Sequence, residues 1–250
     1  MTGTLKCYSF HSVKGGVGKS ALSTMTALAE AARGADTLLM DMDLTGTSLS
    51  DVLDLVPPRF TEEEGVLQLL AAPAGFLTGE DAARAIDARR AAREGASAVG
   101  APFLNDYLLF ETPSWDEARD IDDPIALGWR MQGAPDTLRV LPSSALPRDL
   151  ERILPLVFDE ERAAFLEGRL EYLLDALVPD SGERVLVIDT PPTIPGLSRA
   201  VLSLAIRLGG AGEKRALAEV GALPGRLAGA DVRWQAVIVS TMDWPEVRAA

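Results

Sequence analysis

The run of residues from Lys14 to Ser20 has the composition of a loop that binds phosphate. It is Lys-Gly-Gly-Val-Gly-Lys-Ser, with three glycines and two lysines in seven residues. Glycines let consecutive backbone N–H groups turn toward phosphate oxygens. Lys19 offers a point charge to the terminal phosphates, and the Ser20 hydroxyl can bind Mg²⁺. The strict pattern G-x-x-x-x-G-K-[ST] has glycine where this chain has Val13.

The segments on either side of this run favour phosphate binding over an ordinary flexible surface loop. Residues 4–12 are rich in β-forming types, whereas 20–33 are rich in alanine, with Leu22 and Met25 near helical spacing. A strand, a glycine-rich loop and a helix, in that order, bring the positive end of the helix dipole to the phosphates. We expect removal of Lys19 to abolish binding of Mg·ATP and to leave the fold intact. The residues predicted to bind the nucleotide are Gly15, Gly16, Val17, Gly18, Lys19, Ser20 and Ala21.

Aspartates at the ends of two apolar runs are the candidates for metal binding and catalysis. One run ends at Asp41, with Asp43 two residues further on, and the other is Val-Leu-Val-Ile followed by Asp189. Ligands of open α/β sheets bind beyond the carboxyl ends of the strands. Asp189 is therefore predicted to hold Mg²⁺ through water. In an extended chain Asp41 and Asp43 point the same way, so both could reach one metal–phosphate cluster, although Asp41 could instead only cap its loop.

The order of predicted elements indicates a doubly wound α/β fold with a mainly parallel sheet and helices on both faces. We expect one domain over residues 1–250, with an irregular helical insertion at about 56–136. The C-terminal residues from Pro245 are typical of the start of a helix, so we expect the chain to be truncated or incomplete there. Strands are predicted at 4–12, 37–41, 137–141, 184–189 and 234–241. Helices are predicted at 20–33, 61–70, 78–94, from 159 onward and at 197–208. Residues 209–231 are predicted to form a loop or a weak helix.

Composition restricts the possible functions further. The net charge of −13 argues against nucleic-acid binding. No apolar run approaches the ~20 residues of a membrane span, and the N-terminus is unlike a signal peptide, so we expect a cytoplasmic protein without a transmembrane segment. One cysteine, Cys7, excludes a thiolate metal cluster built by one chain. His11, the only histidine, is predicted to be a hydrogen-bonded strand residue rather than a functional one.

These motifs resemble those of the ParA/MinD ATPases, P-loop proteins with a deviant Walker A motif. The loop from Lys14 to Ser20 is similar to that motif, 41–48 to the family's D-x-D switch segment, and 185–192 to its Walker B strand and D-x-P-P switch. The resemblance is good over 1–55 and 137–208, fair over 232–250 and absent over most of 56–136. Many partition-type members of the family also lack the glycine that Val13 replaces.

The resemblance implies a molecular switch that binds ATP with Mg²⁺, forms a homodimer on ATP, meets a protein partner and hydrolyses ATP. It assigns catalytic roles to Lys14, Lys19 and Asp43: Lys14 would reach the partner subunit's nucleotide, and Asp43 would orient the attacking water. The metal would be held by Ser20, Asp41 and Asp189. Two alternatives remain open, namely an ATP-dependent metabolic ligase of the same fold, similar to dethiobiotin synthetase, and a nucleotide-binding interaction module with negligible turnover.

Overall fold

The central element is a parallel β-sheet of five strands. The computed structural model describes residues 3–44, 49–57, 60–63, 66–69, 103–109, 128–144, 150–151, 154–155, 163–192, 196–219 and 221–240. Its strands are β1 (Thr4–His11), β2 (Asp36–Asp41), β3 (Leu55–Val56), β4 (Phe60–Glu63), β5 (Val66–Leu69), β6 (Arg130–Met131), β7 (Leu138–Leu141), β8 (Glu183–Asp189) and β9 (Asp231–Ile238). The main sheet has the order β7-β2-β8-β1-β9, and all of its pairings are parallel. Its strands therefore all end at one edge.

Helices cover both faces of this sheet. They are α1 (Lys19–Ala32), α2 (Leu104–Leu109), α3 (Ala163–Leu177), α4 (Leu197–Gly209), α5 (Ala211–Glu219) and α6 (Gly225–Gly229). The core on one face includes Ala27 of α1, whereas the core on the other includes Leu173 of α3 and Leu204 of α4. The predicted doubly wound α/β fold is confirmed. In the ranges given above, no helix has the length and hydropathy needed to cross a bilayer.

Strand β8 shows why the apolar run before Asp189 forms a buried strand. Val185 and Val187 belong to the core that contains α1, whereas Leu186 and Ile188 belong to the opposite core. Alternate side chains of a strand point to opposite faces, so a strand covered on both sides must be apolar at every position. The carboxylate that follows is thereby carried to the carboxyl edge of the sheet.

Helix α1 packs on the sheet through small side chains. Ser23, Ala27 and Ala31 are buried, whereas Leu22 and Met25 are exposed. The helical spacing of Leu22 and Met25 marks the helix correctly, but it does not mark the buried face. Small residues at the interface let the helix lie close to the strands, and the larger apolar side chains are exposed.

The helix predicted over 61–70 is wrong, because β4 and β5 form an antiparallel pair there, with Glu63 opposite Val66. Two residues, Glu64 and Gly65, separate these strands in the sequence. A pair ending in glycine favours a hairpin, and glycine inside a helix costs about 1 kcal/mol relative to alanine, which outweighs the capping signal.

Other boundaries differ from the sequence prediction by a few residues. The stretch predicted as a loop or weak helix holds α5 and α6, and β9 begins three residues before its predicted start. Within the predicted insertion the structure describes α2 and β3 to β6, with β3 and β6 paired antiparallel. The helices predicted over 78–94 and from Pro245 lie outside the described residues.

Candidate functional site

The glycine-rich loop joins β1 to α1 at the carboxyl edge of the sheet. Gly16 and Gly18 have φ angles of +74° and +84°, in the left-handed region that favours glycine. The Gly18 carbonyl accepts a hydrogen bond of 3.0 Å from the backbone N–H of Leu22, which starts the helix. The N–H groups of the first turn of α1 are thus left for a ligand, as at any helix N-terminus.

The predicted nucleotide-binding residues lie where a ligand can reach them. Lys14, Gly15 and Ala21 are exposed, whereas Val17 and Ser20 are half-buried. A Cβ added to Gly15 would lie 4.0 Å from Cγ of Pro192, so the loop lies beside the segment that follows β8. Loop and segment together line one side of the candidate site.

A buried ion pair lies at the base of the loop. The ammonium Nζ of Lys19 lies 2.5 Å from Oδ1 of Asp189, and the two side chains are only 6% and 1% exposed. The other carboxylate oxygen, Oδ2, is buried and has no hydrogen-bond partner among the residues that the structure describes. Burial raises the pKa of Asp189, and Lys19 and the Ser20 hydroxyl act in the opposite direction. Lys19, Ser20 and Asp189 thus lie together in the structure.

The unpaired oxygen of Asp189 and the hydroxyl of Ser20 fit Mg²⁺, which prefers hard oxygen ligands and keeps several waters. Within the described ranges, no group of three His, Cys, Asp or Glu side chains is placed to hold a metal ion. Mg²⁺ bound by Asp189 and Ser20 would take its remaining ligands from water and substrate oxygens.

Asp41 organises the loops that follow two neighbouring strands. Its Oδ2 accepts hydrogen bonds from the backbone N–H of Leu49 at 2.7 Å and the hydroxyl of Ser143 at 2.9 Å. Its Oδ1 accepts one from the N–H of Asp43 at 3.1 Å. Burial raises the pKa of Asp41 to about 6, although these hydrogen bonds act in the opposite direction. Asp41 is also in register with Asp189 on β8. Its observed role is to hold these loops in place, and its role as a metal ligand stays a prediction.

The backbone turns directly after Asp41. Besides the bond from Asp43 to the Asp41 carboxylate, the N–H of Leu44 donates to the carbonyl of Met42 at 2.9 Å. The premise of an extended chain carrying Asp41 and Asp43 on one side is therefore wrong, because Asp41 uses its carboxylate to make the turn. Asp43 is half-buried, and its charge acts to raise the pKa of Asp189. Its role in orienting water stays a prediction.

Two residues that sequence reasoning missed connect the end of β7 to this site. The Ser143 hydroxyl contacts the Asp41 carboxylate and, at 3.3 Å, the carbonyl of Asp43. The side-chain oxygen of Asn105, on α2, accepts a hydrogen bond of 2.7 Å from the N–H of Ser144. The signal was the polar Pro-Ser-Ser run after β7, which ends at the same sheet edge as β2 and β8.

Replacing Asp41 by asparagine is expected to lower the free energy of unfolding by about 1–3 kcal/mol. The carboxylate accepts hydrogen bonds from the backbone or side chain of Asp43, Leu49 and Ser143. An amide has only one acceptor oxygen, and its NH₂ group would face some of these donors. Urea denaturation measures the difference. The matched control is Asp54→Asn, an exposed carboxylate that precedes β3. Equal stability of the two variants would show that the hydrogen bonds to Asp41 do not hold these loops.

Comparison with known proteins bears on the first part of the chain. Residues 5–73 match the model of the ParA family, with the description NUBPL iron-transfer P-loop NTPase. The resemblance to ParA proteins is confirmed over these residues. The ParA-like stretch contains the glycine-rich loop, Asp41 and Asp43. A search of curated proteins gave no match.

Most of the chain is also similar to two solved structures of cobyrinic acid a,c-diamide synthase from Mycobacterium smegmatis. For the structure with a bound ATP analogue and magnesium, the identity is 17% and the TM-score 0.43, over 94% of this chain and 75% of that one. For the structure with bound ADP and magnesium, the identity is 18% and the TM-score 0.43, over 95% and 74%.

Proposed function

We propose that this chain is a Mg²⁺-dependent ATPase of the ParA type, in which ATP binding acts as a switch. The observation that carries the proposal is the buried pair of Lys19 and Asp189 at the base of a glycine-rich loop. Each member of this pair can exchange its partner for a ligand that carries the same sign of charge as that partner. A phosphate replaces Asp189 as the anion facing Lys19, and Mg²⁺ replaces Lys19 as the cation facing Asp189. The pair is therefore matched in charge to a metal–nucleotide complex.

The remaining residues follow from this exchange. Mg²⁺ would be held by Ser20 and Asp189, with Asp41 nearby, and it would neutralise phosphate charge during transfer. Asp43 is half-buried beside Asp189, where its carboxylate can orient a water molecule toward the terminal phosphate. The glycine-rich loop and the N-terminus of α1 bind the phosphates through backbone N–H groups. Phosphoryl transfer requires chiefly such positioning and charge neutralisation.

A second copy of this chain is the proposed partner at the loop face. Val13 and Met25 are 67% and 65% exposed, and Leu22 is also exposed. Apolar side chains of this size beside a charged site favour a protein surface over water on that face. Lys14 is exposed in the same loop and would contact the phosphates bound to the facing subunit. A protein that reads or stimulates the ATP-bound state completes the proposed cycle.

An iron–sulfur cluster shared between subunits does not fit these residues, although the matching family is described as an iron-transfer NTPase. Cys7 is the only cysteine of the 250 residues. It is fully buried in β1, and burial raises the pKa of its thiol. Thiolates are the cluster ligands that proteins supply most often, and this thiol is held protonated inside the core.

The decisive experiment combines ATP binding, turnover and mass. Calorimetric titration with a non-hydrolysable ATP analogue is expected to show binding that Mg²⁺ strengthens, and phosphate release is expected without any added acceptor. ADP release that requires a small-molecule acceptor would instead indicate a ligase. If the parent chain bound the ATP analogue but released no phosphate, and Lys19→Met abolished that binding, the chain would be a nucleotide-binding interaction module.

Lys14→Ala is expected to bind the ATP analogue and remain a monomer, whereas the parent chain doubles in mass. The reason is that the Lys14 ammonium would contact phosphates bound to the facing subunit across the dimer interface, and alanine cannot make that contact. Light scattering at matched concentrations measures the masses, with Lys6→Ala as a control lysine on the same strand-loop-helix unit. A dimer of the same strength in Lys14→Ala, or a monomeric parent, would contradict the assignment.

A further inference from the structure

A chain of buried and partly buried hydrogen bonds connects β9 to the residue that follows Asp189. The indole N–H of Trp234 donates to Oγ of Ser9 at 2.9 Å, and this hydroxyl lies 2.9 Å from Nε2 of His11. On the other side of the imidazole, Nδ1 lies 3.4 Å from Oγ1 of Thr190. The Thr190 hydroxyl in turn donates to the carbonyl of Phe10 at 2.7 Å. Ser9, His11 and Thr190 are all buried.

Counting protons along this chain fixes the tautomer of His11. The indole can only donate, so Ser9 accepts from Trp234 and directs its own proton to Nε2 of His11. The proton of Thr190 goes to the Phe10 carbonyl, so Oγ1 is left to accept. Nδ1 must then carry the imidazole proton and donate it to Thr190. Among the described residues, the opposite tautomer would leave the Ser9 proton without an acceptor and would set two lone pairs against each other at Thr190.

The imidazole is neutral in this environment. Burial lowers the pKa of His11 to about 4, and the charge of Lys19 lowers it in the same direction. Both ring nitrogens therefore keep distinct roles at neutral pH, with one acceptor and one donor. His11 can hold Thr190 in a single orientation, since the ring is fixed from both sides.

We infer that His11 is a positioning residue for the metal site, acting through Thr190 on the carboxylate of Asp189. Thr190 directly follows Asp189 and is anchored to β1 by its backbone N–H as well, which donates to the Phe10 carbonyl at 3.3 Å. The hydrogen bond from His11 fixes the side chain of the same residue. The peptide that carries Asp189 is thus clamped to β1, and its carboxylate is held facing Lys19. The metal part of this inference rests on the proposed function.

The tautomer can be measured without any nucleotide. Because the chain has one histidine, the imidazole ¹⁵N spectrum of a protein without a histidine tag contains only His11. We expect a protonated Nδ1 and an unprotonated Nε2. The indole N–H signal of Trp234, assigned by its loss in Trp234→Phe, should shift in His11→Asn because Ser9 loses its acceptor. A protonated Nε2 would overturn the inference.

Two substitutions separate the two sides of the imidazole. Asparagine places an amide near the position of Nδ1 and can still donate to Thr190, whereas glutamine reaches the position of Nε2 and keeps only the contact with Ser9. The measurement is the ratio of affinities for a non-hydrolysable ATP analogue with and without Mg²⁺. We expect His11→Gln to lower this ratio by about 10- to 100-fold and His11→Asn to stay within about threefold of the parent chain. Equal ratios in the two variants would overturn the inference.

A second pair of variants covers the case in which His11 variants fail to fold. Thr190→Val keeps the side-chain volume and removes the hydroxyl, whereas Thr190→Ser retains it. The valine variant should lose the Mg²⁺-dependent part of the affinity and the serine variant should keep it, with Mg²⁺-free affinity unchanged in both. A parent chain without Mg²⁺-dependent binding would refute the proposed function. A binding parent with an unaffected Thr190→Val would refute the role of His11 alone.

Discussion

Replacing Lys19 by methionine is expected to abolish nucleotide binding and also to lower the free energy of unfolding by about 3–5 kcal/mol. From the sequence, the fold is expected to tolerate loss of this residue, because its absence creates no core cavity. The structure changes that expectation, because Lys19 is buried against a buried carboxylate. Methionine keeps most of the stem volume, so the loss is electrostatic: Asp189 is left inside the protein without a counter-charge.

A double-variant cycle tests this explanation. Asp189→Asn removes the carboxylate that Lys19→Met leaves unpaired, so the combined variant should recover most of the lost stability while still failing to bind nucleotide. Urea unfolding gives the stabilities, and calorimetry gives the affinities. If Lys19→Met were as stable as the parent chain, the buried pair would not exist in solution.

Lys6→Met is the matched control for that cycle. Lys6 lies 2.9 Å from Glu30, but it is partly exposed, and the Glu30 carboxylate keeps hydrogen bonds or charges from Tyr8 and Arg33 when Lys6 is removed. Partly exposed pairs of this kind contribute about 0–1 kcal/mol. If Lys6→Met lowered the free energy of unfolding as much as Lys19→Met, the destabilisation would follow from replacing any paired lysine and not from the burial of Lys19.

The sequence predicted the positions of the candidate residues well wherever one strand or one loop determines them. An apolar run that ends in an aspartate must carry that aspartate to the carboxyl edge of a parallel sheet, which places Asp41 and Asp189 in register. Glycine-rich residues between a strand and a helix likewise fix the loop. What these patterns could not give is which side chains share a hydrogen bond across distant segments.

The contacts of Asp41 and His11 illustrate this limit. Asp41 bonds to Ser143, which is 102 positions away, and His11 contacts Thr190, which is 179 positions away. No local spacing contains such a pairing. The wrong helix at 61–70 has a different cause, because two local signals, a capping box and a glycine, compete there and only the pairing of β4 with β5 decides between them.

Asp43→Asn is expected to bind the ATP analogue with unchanged or slightly higher affinity and to slow phosphate release by about 10²- to 10⁴-fold. The backbone of Asp43 is held from both sides, by the Asp41 carboxylate and the Ser143 hydroxyl, so its side chain projects from a fixed turn. Asparagine keeps the shape but cannot accept a proton from water. Removing one negative charge near Asp189 also reduces repulsion of the phosphates, so affinity should not fall.

The direction of the affinity change distinguishes the two roles that Asp43 could have. If Asp43 orients the attacking water, only the rate falls, whereas a lost Mg²⁺ ligand would weaken Mg²⁺-dependent binding as well. Asp180→Asn is the control, since Asp180 lies before β8 at the opposite end of the strand from Asp189 and is exposed. Turnover at the parent rate in Asp43→Asn would show that another residue orients the attacking water. The fixed position and the charge of Asp43 would then have a different role, in which this carboxylate only adjusts the electrostatic potential at the bound phosphates.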